Sequence, residues 1–374
     1  MNLQINKDVL VNALSKVEKA VGKSTKPVLQ GVYLEVTDSK LKFVGSNDEQ
    51  TITVELNVDE TITVKEPGKI VLSKDTLTII KKLRKDAVSI VVSDLQYTVS
   101  AGTSKFDFVG FDPEAFPIFS EPTTEPILEF TFEELKSVAD KLAFAASTEE
   151  NRPVLQGIQI EGKAGTNQLR MVSTNSYMLS QKVIAKEVKE DVSILPKARS
   201  VIEVLKVFNV SDTIKIYSTP SNLVFKSDEV TVFARVLEGN YPDTSRLIMK
   251  DFKAIIEIDK DEFLYALEQV QIVGHSDAKQ NTAMLSLAGI NLKLENSTIG
   301  SGKANIEIPL VELQTNEEIE IKFAFDVKYM INLIRATDGN IKLGYIGPML
   351  PISILGTEST SAEYKLLLPI RIHQ

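Results

Sequence analysis

Arg152-Pro153-Val154-Leu155-Gln156-Gly157 restates Lys26-Pro27-Val28-Leu29-Gln30-Gly31. Five identical residues follow a basic one in each copy, with Pro27 and Pro153 standing 126 positions apart. A self-similarity of that kind signals an internal repeat, and a repeat decides the architecture before any local propensity does.

Working outward from the first copy, Asn6 is placed to cap a helix running to about Val21, with Leu10, Ala13, Leu14, Val17 and Val21 on one face. Alternating strands follow at Val32–Val36, Leu41–Gly45 and Thr51–Leu56. Ser73 then opens a second helix to about Arg84, and strands return at Val88–Val92, Tyr97–Ser100 and Phe106–Val109. The proline-rich stretch from Pro113 to Pro126 closes the unit.

Around the second copy the same order returns. Thr131-Phe132-Glu133-Glu134 reads as a capping box, and Leu135, Val138, Ala139, Leu142 and Ala146 form the apolar face of its helix. Strands are expected at Val154–Ile160 and Leu169–Val172, a helix from Pro196 to about Phe208, and strands at Thr213–Tyr217, Leu223–Lys226 and Val230–Arg235. A third pass begins with a cap at Asp259 and a second helix at Asp326, and ends in strands at Ile341–Tyr345, Ile352–Leu355 and Tyr364–Leu368. The expected architecture is α+β, three repeats of helix–strands–helix–strands at 1–124, 125–250 and 251–374. A period of about 125 residues is long enough for each repeat to hold its own core, unlike a solenoid.

Composition narrows the chemistry. The 374 residues include no cysteine and two histidines, His275 and His373, so thiol nucleophiles, disulfides and His-cluster zinc sites drop out. No metal or cofactor is expected. Gly22-Lys23-Ser24 imitates the end of a phosphate loop, but the leading glycine would have to stand where Val17 is. There is no Gly-x-Ser-x-Gly elbow, and the acidic pairs fall at helix starts or loops, so nothing points to catalysis. The N-terminus lacks the apolar core of a signal peptide and no apolar run reaches membrane-spanning length, which makes the cytoplasm the expected location.

The net charge of −9 looks unfavourable for nucleic acid, yet it is only a sum. Lys74, Lys81, Lys82, Arg84 and Lys85 cluster on one helix against Asp75, while Lys197, Arg199 and Lys206 stand on another against Glu203. Such helices suit a surface that tracks phosphates without reading bases. They also suit an ordinary solvated face.

The three repeats, the twin Pro-Val-Leu-Gln-Gly, Gly239-Asn240-Tyr241-Pro242-Asp243 and the ending Leu366-Leu367-Leu368-Pro369-Ile370-Arg371 together resemble the bacterial DNA polymerase III beta subunit, the sliding clamp, in its Gram-positive form. The resemblance covers Met1 to about Arg371. It implies a non-catalytic processivity factor: a head-to-tail homodimeric ring of six domains, helices lining a hole for double-stranded DNA and sheets outside. It assigns DNA contact to Lys23, Lys26, Lys81, Arg152, Lys197 and Arg199, and the ring interface to Lys74, Lys105, Phe106 and Phe108 against Ile272 and Val273.

It further implies a pocket for short peptides of the replicative polymerase, the clamp loader and other clamp-motif proteins. The matching positions are Leu155, Thr174, Ser176, Tyr177, Met178, Leu179, Pro242, Arg246, Leu247, Leu367, Leu368, Pro369, Ile370 and Arg371. Where the family usually carries Thr-Asp-Ser/Gly-His-Arg-Leu, this chain has Thr174-Asn175-Ser176-Tyr177-Met178-Leu179, which removes a charge from the pocket edge. Two other readings stay open at this level: a clamp-like decoy that binds clamp partners without encircling DNA, and a nucleic-acid-processing enzyme, against which the missing His, Cys and Gly-rich constellations weigh.

Overall fold

The computed structural model describes residues 1–22, 24–47, 49–274, 281–298, 302–315, 318–359 and 362–371. The first repeat runs β1 (Asn2–Asn6), α1 (Lys7–Val17), β2 (Val32–Val36), β3 (Lys40–Ser46), β4 (Gln50–Asn57), β5 (Ile62–Glu66) and β6 (Gly68–Leu72). It continues with α2 (Lys74–Lys82), β7 (Ala87–Ser93), β8 (Gln96–Ala101) and β9 (Ser104–Val109). The second comprises β10 (Leu128–Thr131), α3 (Phe132–Leu142), β11 (Gln159–Gly162), β12 (Leu169–Thr174), β13 (Met178–Ile184) and β14 (Val192–Ile194). Then come α4 (Ala198–Leu205), β15 (Thr213–Ser218), β16 (Asn222–Lys226) and β17 (Val230–Arg235). The third has β18 (Ala254–Ile258), α5 (Lys260–Val273), β19 (Thr282–Ala288), β20 (Asn291–Thr298), β21 (Gly302–Pro309), β22 (Glu312–Thr315) and β23 (Lys322–Asp326). It ends with α6 (Val327–Arg335), β24 (Ile341–Tyr345), β25 (Ile352–Gly356) and β26 (Glu363–Leu367).

The caps hold as read at most helix starts. Asn6 Oδ1 accepts from the backbone of Asp8 at 2.9 Å, and Asp259 Oδ1 from Asp261 and Glu262 at 3.0 Å each. At α3 the capping box closes both ways: Thr131 N donates to Glu134 Oε2 at 2.8 Å and Glu134 N to Thr131 Oγ1 at 3.2 Å. Thr131→Ala is therefore expected to lower stability by about 1 kcal/mol. Urea denaturation checks this, and an unchanged midpoint would remove the box from the energetics.

Four expectations change. A short strand stands before each helix, so the repeat is strand–helix rather than helix-first; segments such as Val192–Ile194 are too brief for alternation to register. Pro153–Gln156 is a 3₁₀ turn rather than the start of a strand, and Pro27–Gln30 is its match. Proline at the first turn position has no N–H to lose, and Gly157 N reaches Val154 O at 3.2 Å as Gly31 N reaches Val28 O at 3.3 Å. Ser73 makes no side-chain cap; Tyr97 Oη instead donates to its hydroxyl at 3.1 Å. Helices α1, α2 and α4 are also shorter than their apolar patterns suggested, with a 3₁₀ turn at Glu18–Ala20 after α1.

The chain separates into two compact units, Met1–Lys136 with Arg199–Val236, and Ser137–Ala198 with Leu237–Gln374. In the first unit one sheet has the order β5-β1-β7-β8-β9 and the other β10-β15-β16-β17-β4-β3-β2-β6. The second repeat thus joins the first through antiparallel β17 and β4, with Val232 opposite Ile52. In the second unit the orders are β14-β11-β12-β13-β26-β25-β24-β18-β22 and β21-β20-β19-β23. Here β13 pairs with β26, Leu179 opposite Leu366 and Gln181 opposite Tyr364.

Successive strand residues face opposite sides, so the β12–β13–β26 segment has two distinct faces. One face packs on helices: Ser173 Oγ donates to Leu142 O and Ser180 Oγ to Lys141 O at 2.7 Å, while Met178 and Leu367 enter the large core built on α5 and α6. The other carries Val172, Leu179, Tyr364 and Leu366, a smaller buried cluster covered in part by Tyr241, Ile248 and Met249.

Candidate functional site

The smaller cluster is the floor of the candidate groove. Its lip is the 241–249 segment, which has no strand and only the 3₁₀ turn Ser245–Leu247. Tyr364 Oη accepts from Met249 N at 3.1 Å and donates to Leu247 O at 3.5 Å. Asp243 Oδ1 accepts from Ser245 N at 2.9 Å, and hydrogen bonds from Ser245 hold this carboxyl below its ordinary range, with Arg246 and Arg170 adding to the effect. Burial among aromatic and aliphatic side chains pushes the Tyr241 phenol up.

The second rim is the turn between β12 and β13. Asn175 Oδ1 accepts from Tyr177 N and Met178 N, both at 2.9 Å, and Ser176 takes a positive φ of 75°, an Asx-type turn. Tyr177 stands 56% exposed and stacks on Tyr329 of α6, with ring centroids 5.8 Å apart. Burial raises the Tyr329 phenol, followed by the charges of Asp326 and the neighbouring Tyr177 and Glu149. Leu368 N donates to Tyr177 O at 2.9 Å and Ile370 N to Ala324 O at 2.8 Å, which seats the C-terminal segment along this side.

Pro242, Arg246, Leu247, Leu368 and Arg371 are exposed around these elements, and Pro369 and Ile370 are half-buried. Leu155, Thr174 and Leu179 are buried. Met178 and Leu367, expected to line the pocket, lie in the helix-side core, so they support the sheet from beneath and present no side chain to the groove.

Of the nucleic-acid candidates, Lys26, Lys81 and Arg199 belong to the first unit and Arg152 and Lys197 to the second. Lys26 and Arg199 are exposed, and Lys81 Nζ contacts Glu18 Oε2 at 3.1 Å. In the same unit Lys19 Nζ donates to Lys206 O at 2.6 Å, drawing the end of α1 toward the end of α4. Lys197 is half-buried and its backbone bridges Gly157. Arg152 donates to Ser176 Oγ at 2.9 Å, so the structure puts it beside the groove rim. Lys23 lies outside the described residues.

Of the interface candidates, Lys74 and Lys105 are exposed, Phe106 is half-buried, and Phe108 stacks on Tyr97 at 5.2 Å. Ile272 is 75% exposed at the end of α5, next to half-buried Val273. His275 and His373 lie outside the described residues, and among the described residues no three His, Cys, Asp or Glu side chains gather as a metal site. No described helix is long and apolar enough to cross a membrane.

Sequence reasoning missed Arg170, Thr244, Tyr329 and Tyr364. Alternation could have placed Arg170 on one face with Val172 and Thr174; the contacts of the others depend on segments distant in sequence.

Three α+β repeats that share sheets, β17 pairing with β4 and β13 with β26, define a clamp-type scaffold. Family models for the N-terminal, central and C-terminal domains of the DNA polymerase III beta subunit match residues 1–120, 129–243 and 245–371. The chain belongs to that family, and its role is that of a non-catalytic processivity subunit, a sliding clamp. It is 28% identical to the beta sliding clamp of Bacillus subtilis and 26% identical to that of Staphylococcus aureus, each over 100% of both chains. Among solved structures, the beta subunit from DNA polymerase of Streptococcus pyogenes matches with a TM-score of 0.93 at 25% identity, covering 100% of both chains. The DNA polymerase sliding clamp from Bacillus subtilis matches with a TM-score of 0.92 at 26% identity and the same coverage.

Proposed function

We propose that two copies of this chain close head to tail into a ring around duplex DNA, in the cytoplasm, and tether the replicative polymerase. The three domains of each copy would be 1–124, 125–250 and 251–374. The observation that carries the reading is a pair of open sheet edges. In the first repeat β9 ends its sheet and carries Lys105, Phe106 and Phe108; in the third, β21 ends its sheet and packs beside α5, whose end exposes Ile272. A heterologous contact between two such edges, repeated once, closes a ring and leaves neither edge bare.

Inside the ring, Lys23, Lys26, Lys81, Lys197 and Arg199 would neutralise phosphates without reading bases, which leaves the clamp free to slide. The acidic sum of the chain would keep DNA off the remaining surface. The groove of the second unit accepts an apolar peptide segment from the polymerase, the loader or other clamp-motif proteins, over a greasy floor with Arg246, Arg371 and Ser176 at the rim. Arg152, bonded to Ser176, would serve the groove as much as the DNA path.

Loading onto nicked circular DNA, followed by linearisation, tests the ring. Retention on the circle and loss from the linear form within one dissociation assay are expected, and Ile272→Asp should abolish retention on both. Equal retention on both forms would overturn encirclement. Failure to load while groove peptides still bind would favour the decoy reading.

A further inference from the structure

We infer that Arg170 is a positioning residue for the partner groove: its guanidinium fixes the 241–249 lip against the sheet floor and thereby sets peptide affinity without touching the peptide. The inference rests on the groove reading above and deepens it.

The lip has almost no backbone structure of its own, so side chains rising from the floor determine where it sits. Tyr364 supplies one tie, at Leu247 and Met249. Arg170 supplies another. Its NH2 donates to Thr244 Oγ1 at 2.5 Å, and Thr244 is only 2% exposed, so that hydroxyl is closed off from solvent. The remaining donors orient the guanidinium plane: Nε reaches Gln181 Oε1 at 2.7 Å and NH1 reaches Glu161 Oε2 at 3.1 Å. Gln181 is on β13 and Glu161 on β11, so two strands flanking β12 hold the fork while its third arm takes the lip. A lysine has one point charge and cannot span three such directions.

Thr244 sits two residues from both Pro242 and Arg246 and three from Leu247, all exposed on this rim. Fixing Thr244 fixes their spacing from the floor before a peptide arrives, and preorganisation of that kind appears as affinity. Without the guanidinium, the sealed Thr244 hydroxyl has lost its donor, and the lip must shift to hydrate it.

The test uses the full chain with Arg170→Met, which keeps the apolar stem, with Thr244→Val, and with both. The probe is a fluorescein-labelled peptide obtained by display selection against the wild-type chain, with Leu247→Glu as the groove control. Expected results are faster amide exchange at residues 244–249 with β12 and β13 unchanged, and binding weaker by about tenfold for either variant. The double variant should be no worse than Arg170→Met alone. Exchange that rises across the whole sheet, or a faster lip with unchanged peptide affinity, would overturn the positioning role. Wild-type binding indifferent to Leu247→Glu would instead overturn the groove reading, and this inference with it.

Discussion

Glu363→Gln is expected to destabilise the unit built from 137–198 and 237–374 by about 3 kcal/mol at neutral pH. Glu363 is the anion in a buried row of charges on the helix side of β26. Its Oε1 accepts from Lys182 Nζ at 2.7 Å, and its Oε2 lies 3.5 Å from Lys365 Nζ, whose side chain is only 2% exposed. Burial alone would raise the Glu363 carboxyl; the Lys182 hydrogen bond and the charges of Lys365, Lys182 and Lys141 bring it below its ordinary range. Removing that anion leaves Lys365 in a low dielectric without its hydrogen-bonding carboxylate, Asp338 contributing a weaker attraction, which costs far more than any exposed pair is worth.

The pH dependence has a definite sign. Burial already lowers the Lys365 ammonium below the ordinary lysine range. Between the folded and unfolded lysine pKa values the unfolded chain binds more protons, so stability rises with pH there. Without Glu363 the folded value falls further, and Lys365 sheds its proton sooner. The gap between wild type and Glu363→Gln should therefore narrow as pH climbs from neutrality toward the lysine range. Lys365→Met, which leaves Glu363 its Lys182 partner, should cost less than about 1.5 kcal/mol. Urea denaturation followed by circular dichroism reads both variants. A Glu363→Gln loss under about 0.5 kcal/mol would show the row is not energetically coupled.

Gly45→Ala is expected to cost the other unit about 3 kcal/mol. Gly45 is on β3 beneath the end of α1, and an added Cβ would fall on the Val17 carbonyl. A side chain in that place could rotate away; a backbone carbonyl moves only with its helix. Helix α1 buries Leu10, Ala13, Leu14 and Val17, so lifting it opens the apolar contacts that anchor it. Gly347→Ala is the control, since its nearest neighbour, Leu350 Cδ1, would be at an ordinary 3.6 Å, and no stability change beyond about 0.5 kcal/mol is expected. Equal midpoints for the two variants would show that α1 can yield at no cost.

Much of this fold could be read from residues alone because its signals are local. Asn6, Thr131, Asp259 and Asp326 mark helix starts through bonds to amides two or three residues away, and those bonds form as expected. The twin Pro-Val-Leu-Gln-Gly carries the repeat because its demand is steric. In each copy the leucine is buried, and a Cβ on the glycine would lie 2.5 Å from Leu72 O in one case and from Leu195 Cδ1 in the other. The order of motifs likewise carries the family, since order survives where single residues drift.

What the residues could not show is who faces whom. Met178 and Leu179 are neighbours with similar apolarity, yet one supports the helix-side core and the other the groove floor; the β13–β26 register decides between them. Arg152 looks like any basic loop residue until the fold brings Ser176 within 2.9 Å. Arg170 and Thr244 are separated by five strands and the helix α4, and no periodicity links them. Sequence by itself determined the three repeats, most helix starts and the family, because each follows from short-range sterics or from residue identity. Only tertiary structure decided the shared sheets, the two faces of β26, the buried row around Glu363 and the strut from Arg170 to the lip. Those depend on pairing energies between distant segments, which a linear pattern does not encode one residue at a time.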